Sequence, residues 1–235
     1  MTVALGQQLI EIPPTRLWWE AESGYASHGY RGHDSTLVDI RSGLARPLLV
    51  LTAPHAVNTV KDGAEKLADR GTGGLAAVLS QSLDCCGVTM RGARNTSWLE
   101  TLKSAVLCLR PPPRFLLDLH GMKYQRDLDA EIGIGSEPTD SAVDAAATLE
   151  SLFAEAGLSC AVNEKYCGWQ PSSLVKWAQG SGIVALQLEL AARARPPVGQ
   201  KQRAQSVLTV LMCFLEHLYK RFDTPPSAEL QVGPR

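Results

Sequence analysis

The sequence predicts an α/β protein, a three-layer α/β/α sandwich with a mixed, largely parallel central sheet. Continuous apolar runs occupy residues 47–53, 115–119 and 183–190, and strands covered by helices on both faces read this way rather than as a strict alternation. Stretches with helical spacing separate the runs, which is the order of elements a sheet between two helix layers requires. Two of the runs stop abruptly at an imidazole, Ala53-Pro54-His55 and Leu119-His120-Gly121. Open α/β sheets bind ligands outside the carboxyl ends of their strands, so two histidines at equivalent strand ends point to one shared site.

Residues 15–45 carry Gly24, Gly29, Gly32 and Gly43 among Ser, His and Tyr, a punctuation that argues against regular structure and predicts an arm or lid. After the strand over 47–53 comes a loop through Asn58 and Gly63, then a helix over 64–83 whose middle is weakened by Gly71, Gly73 and Gly74. A short strand over 87–90 precedes Arg91, Arg94 and Asn95, and the apolar spacing of 98–109 predicts a helix that Pro111-Pro112-Pro113 stops. Beyond strand 115–119, residues 131–135 end a further strand. Residues 141–157 form an amphipathic helix with a serine cap and a glycine stop. Residues 160–163 give a short strand, 172–179 a helical turn, 182–190 the third strong strand and 201–222 the closing helix. The tail from Thr224, with Pro225, Pro226, Gly233 and Pro234, is expected to fray. No internal repeat appears, and 1–235 reads as a single domain.

Composition narrows the function classes. With 45% hydrophobic and 20% charged residues, the chain is ordinary for a globular protein. A formal charge of -1 and a pI near 6.5 leave no basic field for a nucleic-acid backbone. The N-terminus has no basic region leading into an apolar core, and no run approaches the ~18 apolar residues of a membrane span. The expectation is a cytoplasmic protein with a small-molecule substrate and without nucleic-acid or membrane partners, compatible with homo-oligomerisation. The six cysteines, at 85, 86, 108, 160, 167 and 213, form no C-x-x-C pair; they are expected to be reduced and mostly buried.

Zinc in hydrolases is commonly held by two imidazoles and one carboxylate, with a further position open to water. His55 and His120 supply the imidazoles. The carboxylate is expected on the helix after the first strand, where Glu65 and Asp69 stand one turn apart on one face; the residue pattern leaves both open. One histidine at a strand end is more often a hydrogen-bonding residue than a ligand, whereas two at equivalent ends favour a metal. Asp118 is not expected to share the side of His120, and would partner it only if His120 lay beyond the last pleat of the strand. Glu189, inside the third apolar run, is costly to bury unless paired, which favours a functional role over a salt bridge to Arg193 or Arg195.

These segments carry a resemblance. Ala53-Pro54-His55, Lys66-Leu67-Ala68-Asp69-Arg70-Gly71-Thr72-Gly73, Leu117-Asp118-Leu119-His120-Gly121 and Gln187-Leu188-Glu189-Leu190 are similar, in order and spacing over roughly 47–195, to the motifs of the N-formylglutamate amidohydrolase family. The resemblance implies a phosphorylase/hydrolase-like fold of the zinc carboxypeptidase kind. It also implies zinc as cofactor, favours Asp69 over Glu65 as the third ligand, and makes Glu189 the residue that takes a proton from water and passes it to the leaving amine. The implied substrate is an N-acyl amino acid, N-formyl included, whose free carboxylate a planar guanidinium can grip with two parallel hydrogen bonds. Arg193 is the first candidate for that clamp, followed by Arg195, with Arg94 and Asn95 beside another strand end.

Two departures set this chain apart. Ala56-Val57-Asn58 follows the proline-histidine where the best-known members have a small Ser-Gly pair, and the segment with Trp18, Trp19, Tyr25, His28, Tyr30 and His33 matches no motif. The rival readings are a carboxypeptidase-like enzyme acting on a peptide or specialised metabolite, and a non-catalytic binding module on the same scaffold. A cysteine hydrolase using Cys85, Cys86 or Cys167 is less favoured still, and the glycine runs at 71–74 and 133–135 lack the spacing of a phosphate-cradling loop.

Overall fold

The computed structural model describes residues 2–5, 8–11, 14–32, 37–61, 63–92, 98–123 and 127–223. Arg94, Asn95 and the tail from Thr224 lie outside the described residues. In chain order the elements are β1 (Thr2–Leu5), β2 (Gln8–Glu11), α1 (Pro14–Ala26), β3 (Val38–Arg41), β4 (Arg46–Ala53), β5 (Thr59–Lys61), β6 (Ala64–Lys66) and α2 (Thr72–Leu83). There follow β7 (Cys85–Met90), α3 (Trp98–Cys108), β8 (Phe115–Met122), β9 (Ala130–Gly133), α4 (Asp140–Glu155), β10 (Cys160–Val162), α5 (Leu174–Gly180), β11 (Val184–Ala191) and α6 (Lys201–Asp223).

Seven strands form the central sheet in the order β10-β9-β11-β8-β4-β7-β3. The block β11-β8-β4-β7 is parallel throughout. β3 pairs with β7 in the antiparallel sense at one edge, and β9 turns against β11 at the other. The predicted mixed, largely parallel sheet is therefore the observed one. The three strong apolar runs are its neighbours β11, β8 and β4, whose inner residues, Leu49–Leu51, Phe115–Leu117 and Ala185–Leu186, are all completely buried. α2 and α6 pack on each other and on β4, with α4 beside α6, while α3 rests on β7 and β3 and α5 on β11 and β8. The chain steps from β4 through α2 to β7 on one side, then through α3 back to β8 on the other. With right-handed crossovers this puts α2 and α3 on opposite faces and a switch point at the carboxyl ends of β4 and β8.

Two predicted segments are corrected. Residues 64–83 are not one helix: Gly63, at φ 76, turns the chain so that β5 and β6 form a hairpin, and the helix begins only at Thr72. The glycines read as a weak helix middle are its start. Gly71 adopts φ 95 at the N-cap, and a Cβ on Gly73 would stand 2.5 Å from the Tyr25 ring. That close approach explains the second correction. Within 15–45, the part up to Ala26 is regular structure rather than an arm or lid, because α1 docks on α2 with Trp18 fully buried. The Trp18 indole donates to Gly71 O at 2.8 Å, and the Glu22 carboxylate accepts from the Gly71 and Gly74 amides at 2.6 and 3.0 Å, capping α2. The cap of α4 is likewise Thr139 rather than a serine.

Of the six cysteines expected to be mostly buried, Cys85, Cys86 and Cys167 are buried, whereas Cys108 and Cys213 are exposed. Among the described residues no helix is long and apolar enough to cross a membrane.

Asp129, buried just before β9, joins three distant elements. It accepts from Arg193 Nε at 2.7 Å, from Arg203 Nη1 of α6 at 2.6 Å and from the Ser159 amide before β10 at 3.1 Å. Burial works against its charge, but the Ser159 amide and the two guanidiniums win and lower its pKa below the ordinary carboxylate value. A depressed folded-state pKa stabilises the fold fully above the unfolded value of about 3.9, and that contribution disappears as pH falls through the lower folded value. Asp129→Ala is expected to cost on the order of 3 kcal/mol at pH 7. In denaturant titrations at pH 7 and pH 3 the difference between variant and wild type should shrink at the lower pH; an undiminished difference would contradict the ion-pair account.

Candidate active site

Thr52 on β4, Asp118 on β8 and Gln187 on β11 lie in one register across three neighbouring strands, and one step further His120 faces Glu189. Polar residues two apart on a strand share a face, so Asp118 and His120 share one, as do Gln187 and Glu189. This corrects the expectation for Asp118: β8 continues through His120 to Met122, and His120 Nε2 lies 2.9 Å from Asp118 Oδ2. Asp118 is itself held by Thr52, whose hydroxyl donates to Oδ1 at 2.6 Å. On β11 the Gln187 amide donates to Glu189 Oε1 at 2.9 Å.

His55 follows β4, and its Nδ1 lies 3.2 Å from Thr59 Oγ1 on β5. Its ring stands 5.4 Å from that of His120, centroid to centroid, and 4.9 Å from the Trp98 indole at the start of α3. Asp69 reaches the same place from the loop before α2. Its amide donates to His55 O at 2.8 Å, its Oδ2 lies 3.4 Å from His120 Nδ1, and its Oδ1 pairs with Lys66 Nζ at 2.9 Å. Glu65, the alternative carboxylate, sits on β6 with its Oε1 bound to Asn58 Nδ2 at 3.1 Å. Asn58 also accepts the Ala68 amide at 2.9 Å, so it steadies the segment that carries Asp69. Ala56 and Val57 are buried in the core.

His55, Asp69, Asp118, His120, Gln187 and Glu189 line one cleft of about 690 Å³. Its electrostatics follow from burial and partners. Burial opposes the charge on His120, yet Asp118 and Asp69 outweigh it and raise the imidazole pKa well above its usual value. Burial would raise Asp69, but His120, Lys66 and His55 pull it well below the ordinary carboxylate range. Glu189 is raised by burial, which the charge of His120 only partly offsets.

The donor chemistry fits zinc. Two ligand atoms about 2.1 Å from a tetrahedral zinc ion stand about 3.4 Å apart, which is the separation of His120 Nδ1 and Asp69 Oδ2. The remote nitrogen of His120 is oriented by a carboxylate, as in metal-bound histidines. Among the described residues no three His, Cys, Asp or Glu side chains close around a single point; the His120–Asp69 edge is in place and the His55 ring stands beside it.

The two arginines part company. Arg193, the first candidate for a carboxylate clamp, is corrected: its guanidinium is spent on Asp129 Oδ1 and on Asp127 O, the latter at 2.6 Å. Arg195 does line the cleft, deeply buried. It donates Nε to Leu190 O at 3.0 Å, Nη2 to Met122 O at 3.3 Å and Nη1 to Arg70 O. Its plane occupies the space beside Gly121, where a Cβ would meet Nη2 at 2.5 Å.

Sequence reasoning missed Lys66, Trp98, Tyr166, Trp169 and Gln187, all of which line the cleft. Only Gln187 had a readable signal, since it repeats two residues before Glu189 the pattern of Asp118 before His120. The cysteine alternative loses support because burial drives the Cys85 thiol up to about 12 and also raises that of Cys167.

No family model matches the sequence, and no curated protein is significantly similar to it. Solved structures do share its fold. N-formylglutamate amidohydrolase from Ralstonia eutropha JMP134 is 13% identical with a TM-score of 0.56, over 79% of this chain and 99% of that one. A gene product from Agrobacterium tumefaciens is 12% identical, TM-score 0.56, over 90% and 100%. A bacteriophage poly-gamma-glutamate hydrolase is 10% identical, TM-score 0.52, over 83% and 96%. The predicted resemblance in fold is thus found.

Removing the Arg195 guanidinium leaves the buried carbonyls of Met122 and Leu190, and the part-buried one of Arg70, without this donor, at about 1–3 kcal/mol for each buried group left unsatisfied. Arg195→Met is therefore expected to destabilise the protein by at least about 2 kcal/mol in urea unfolding. Arg195→Lys should recover only part of this, because an ammonium cannot span three carbonyls in one plane. Wild-type stability in either variant would refute this role.

Proposed function

We propose that this chain is a zinc-dependent amidohydrolase that cleaves the amide bond of an N-acyl amino-acid-like substrate. The observation that carries the reading is the 3.4 Å approach of His120 Nδ1 to Asp69 Oδ2, with His55 and Glu189 on the adjoining strand ends. Two of the similar folds are named for hydrolysis of glutamate-containing molecules, which supports an amide substrate.

In this reading His55, Asp69 and His120 hold the metal. Bound zinc supplies a Lewis acid and makes water acidic enough to react near neutral pH. Glu189 takes one proton from the water whose oxygen goes to the acyl carbon, and returns it to the nitrogen as the carbon–nitrogen bond breaks, leaving an acid and an amine. Burial suits Glu189 to both halves of that exchange, because a raised pKa brings a carboxylate closer to the working pH of an acid–base catalyst. Gln187 fixes one of its oxygens, so the carboxylate cannot swing away from His120. Asp118 keeps the Nε2 proton on His120 and turns Nδ1 towards Asp69.

A carboxylate on the substrate needs a cation. Arg193 is committed elsewhere, and three of the five Arg195 N–H groups go to carbonyls. Lys123, exposed on the cleft rim, is the residue assigned to that task.

Purified protein should carry about one zinc per chain by elemental analysis and hydrolyse members of an N-acyl amino-acid panel. Glu189→Gln should lower turnover by about 10²-fold or more with zinc retained, whereas His120→Ala should lose the metal. Full turnover in the first variant, or stoichiometric zinc in the second, would remove the mechanism.

A further inference from the structure

The cleft is larger than an N-formyl amino acid requires, and two exposed apolar side chains line it. Pockets for drug-sized ligands run from about 300 to 1,000 Å³, and this one, at about 690 Å³, falls well inside that range. A formyl amino acid has only about a dozen non-hydrogen atoms and would leave much of it to water. The cleft also carries exposed apolar side chains. Among the described residues two of the exposed large hydrophobic side chains, Leu67 at 59% and Trp169 at 54%, line this same cleft. Scattered exposed apolar residues need no explanation, but a pair on the rim of one binding cleft does.

Trp169 is carried by an anchored segment. The buried Glu131 carboxylate on β9 accepts from the Lys165 and Tyr166 amides, the latter at 2.6 Å. Gly135 donates its amide to Cys167 O at 2.7 Å, and the Cys167 thiol lies 3.3 Å from Asn163 O. Gly133 has no side chain where one would be needed to keep the segment off the sheet: a Cβ there would stand 2.3 Å from Tyr166 O. Gln170 O then accepts the Ser173 amide at 2.8 Å, and Ser173 caps α5. Backbone anchored in this way fixes where the half-exposed indole is carried beside the cleft, and stacking is the main attraction an indole offers.

We propose that Trp169 and Leu67 form a subsite for an aromatic or branched apolar acyl group, so that the preferred substrate is an N-aroyl or N-(branched acyl) amino acid rather than an N-formyl one. The inference rests on the amidohydrolase reading of the cleft. It makes the segment between β10 and α5 the determinant of acyl preference, separate from the strand ends that carry the chemistry.

The test compares kcat/KM for N-benzoyl and N-acetyl derivatives of one amino acid, in the zinc-loaded wild type and in Trp169→Ala. Wild type should favour the benzoyl substrate, and the variant should lower the benzoyl-to-acetyl ratio about tenfold or more, the scale of an apolar contact in a specificity pocket. Trp169→Phe, which keeps a ring, should retain most of the ratio. An unchanged ratio in Trp169→Ala, or a wild-type preference for N-formyl substrates, would overturn the proposal. Calorimetric binding of benzoate reads the subsite without turnover. If wild type hydrolyses neither substrate, the amidohydrolase reading fails by itself; benzoate binding weakened about tenfold in Trp169→Ala would still support the subsite, and equal binding would overturn it.

Discussion

The site depends on one buried guanidinium. Asp69, His120 and Glu189 come from segments far apart in the chain, and Arg195 bonds a backbone carbonyl in each of them: Arg70, one residue after Asp69; Met122, two after His120; and Leu190, one after Glu189. Only a planar group with donors along several edges can serve three acceptors at once. Gly121 is the complement of that choice, because any side chain there would overlap the guanidinium. Burying the cation is costly, and the neighbouring charges of Asp69, Glu189 and Glu22 offset the cost. Glu22 enters from α1, where it caps α2, so the docking of the first helix and the assembly of the site share one electrostatic neighbourhood.

The same logic explains why polar side chains interrupt the most apolar strands of the protein. Thr52, Asp118 and Gln187 form a row across β4, β8 and β11, one step below His120 and Glu189. Each member of the row orients a group above or beside it: Thr52 holds Asp118, Asp118 holds His120, and Gln187 holds Glu189. Buried polar groups are tolerable when every partner is supplied, and then they specify one arrangement. The result is an acidic floor with imidazoles turned towards it. Its charge is balanced by Lys66 and Arg195 at the sides and, in the proposed function, by a divalent cation at the centre.

Much of this was legible in the sequence where a pattern is local. The three apolar runs located β4, β8 and β11; the imidazoles that follow the first two located His55 and His120, and the acid inside the third located Glu189. Asp69 was reached through the family resemblance and for the wrong local reason, since the spacing from Glu65 to Asp69 suits a helix but Gly63 makes a hairpin instead. The glycines at 71–74 read as defects in a helix; only the docking of Trp18, Glu22 and Tyr25 shows that they make room for another one. Of Arg193 and Arg195, two residues apart, the sequence put the first ahead as the clamp. What separates them is the position of Asp129 and of three carbonyls, all brought close by tertiary contacts that no spacing along the chain records.

Strand β9 links the floor of the cleft to its wall. Glu131 and Glu189 face each other across the antiparallel pair of β9 and β11, yet they have different fates. Glu131 is consumed by two backbone amides of the segment that carries Trp169, whereas Glu189 keeps company with His120 and Gln187. A carboxylate that accepts backbone amides holds a loop and has little left for chemistry; one whose burial raises its proton affinity is suited to exchange a proton. Two acids in register on adjacent strands thus divide the work, one fixing the wall and the other serving the floor. Because the two strands are hydrogen-bonded to each other, the sheet ties the backbone that carries Trp169 to the strand that carries Glu189.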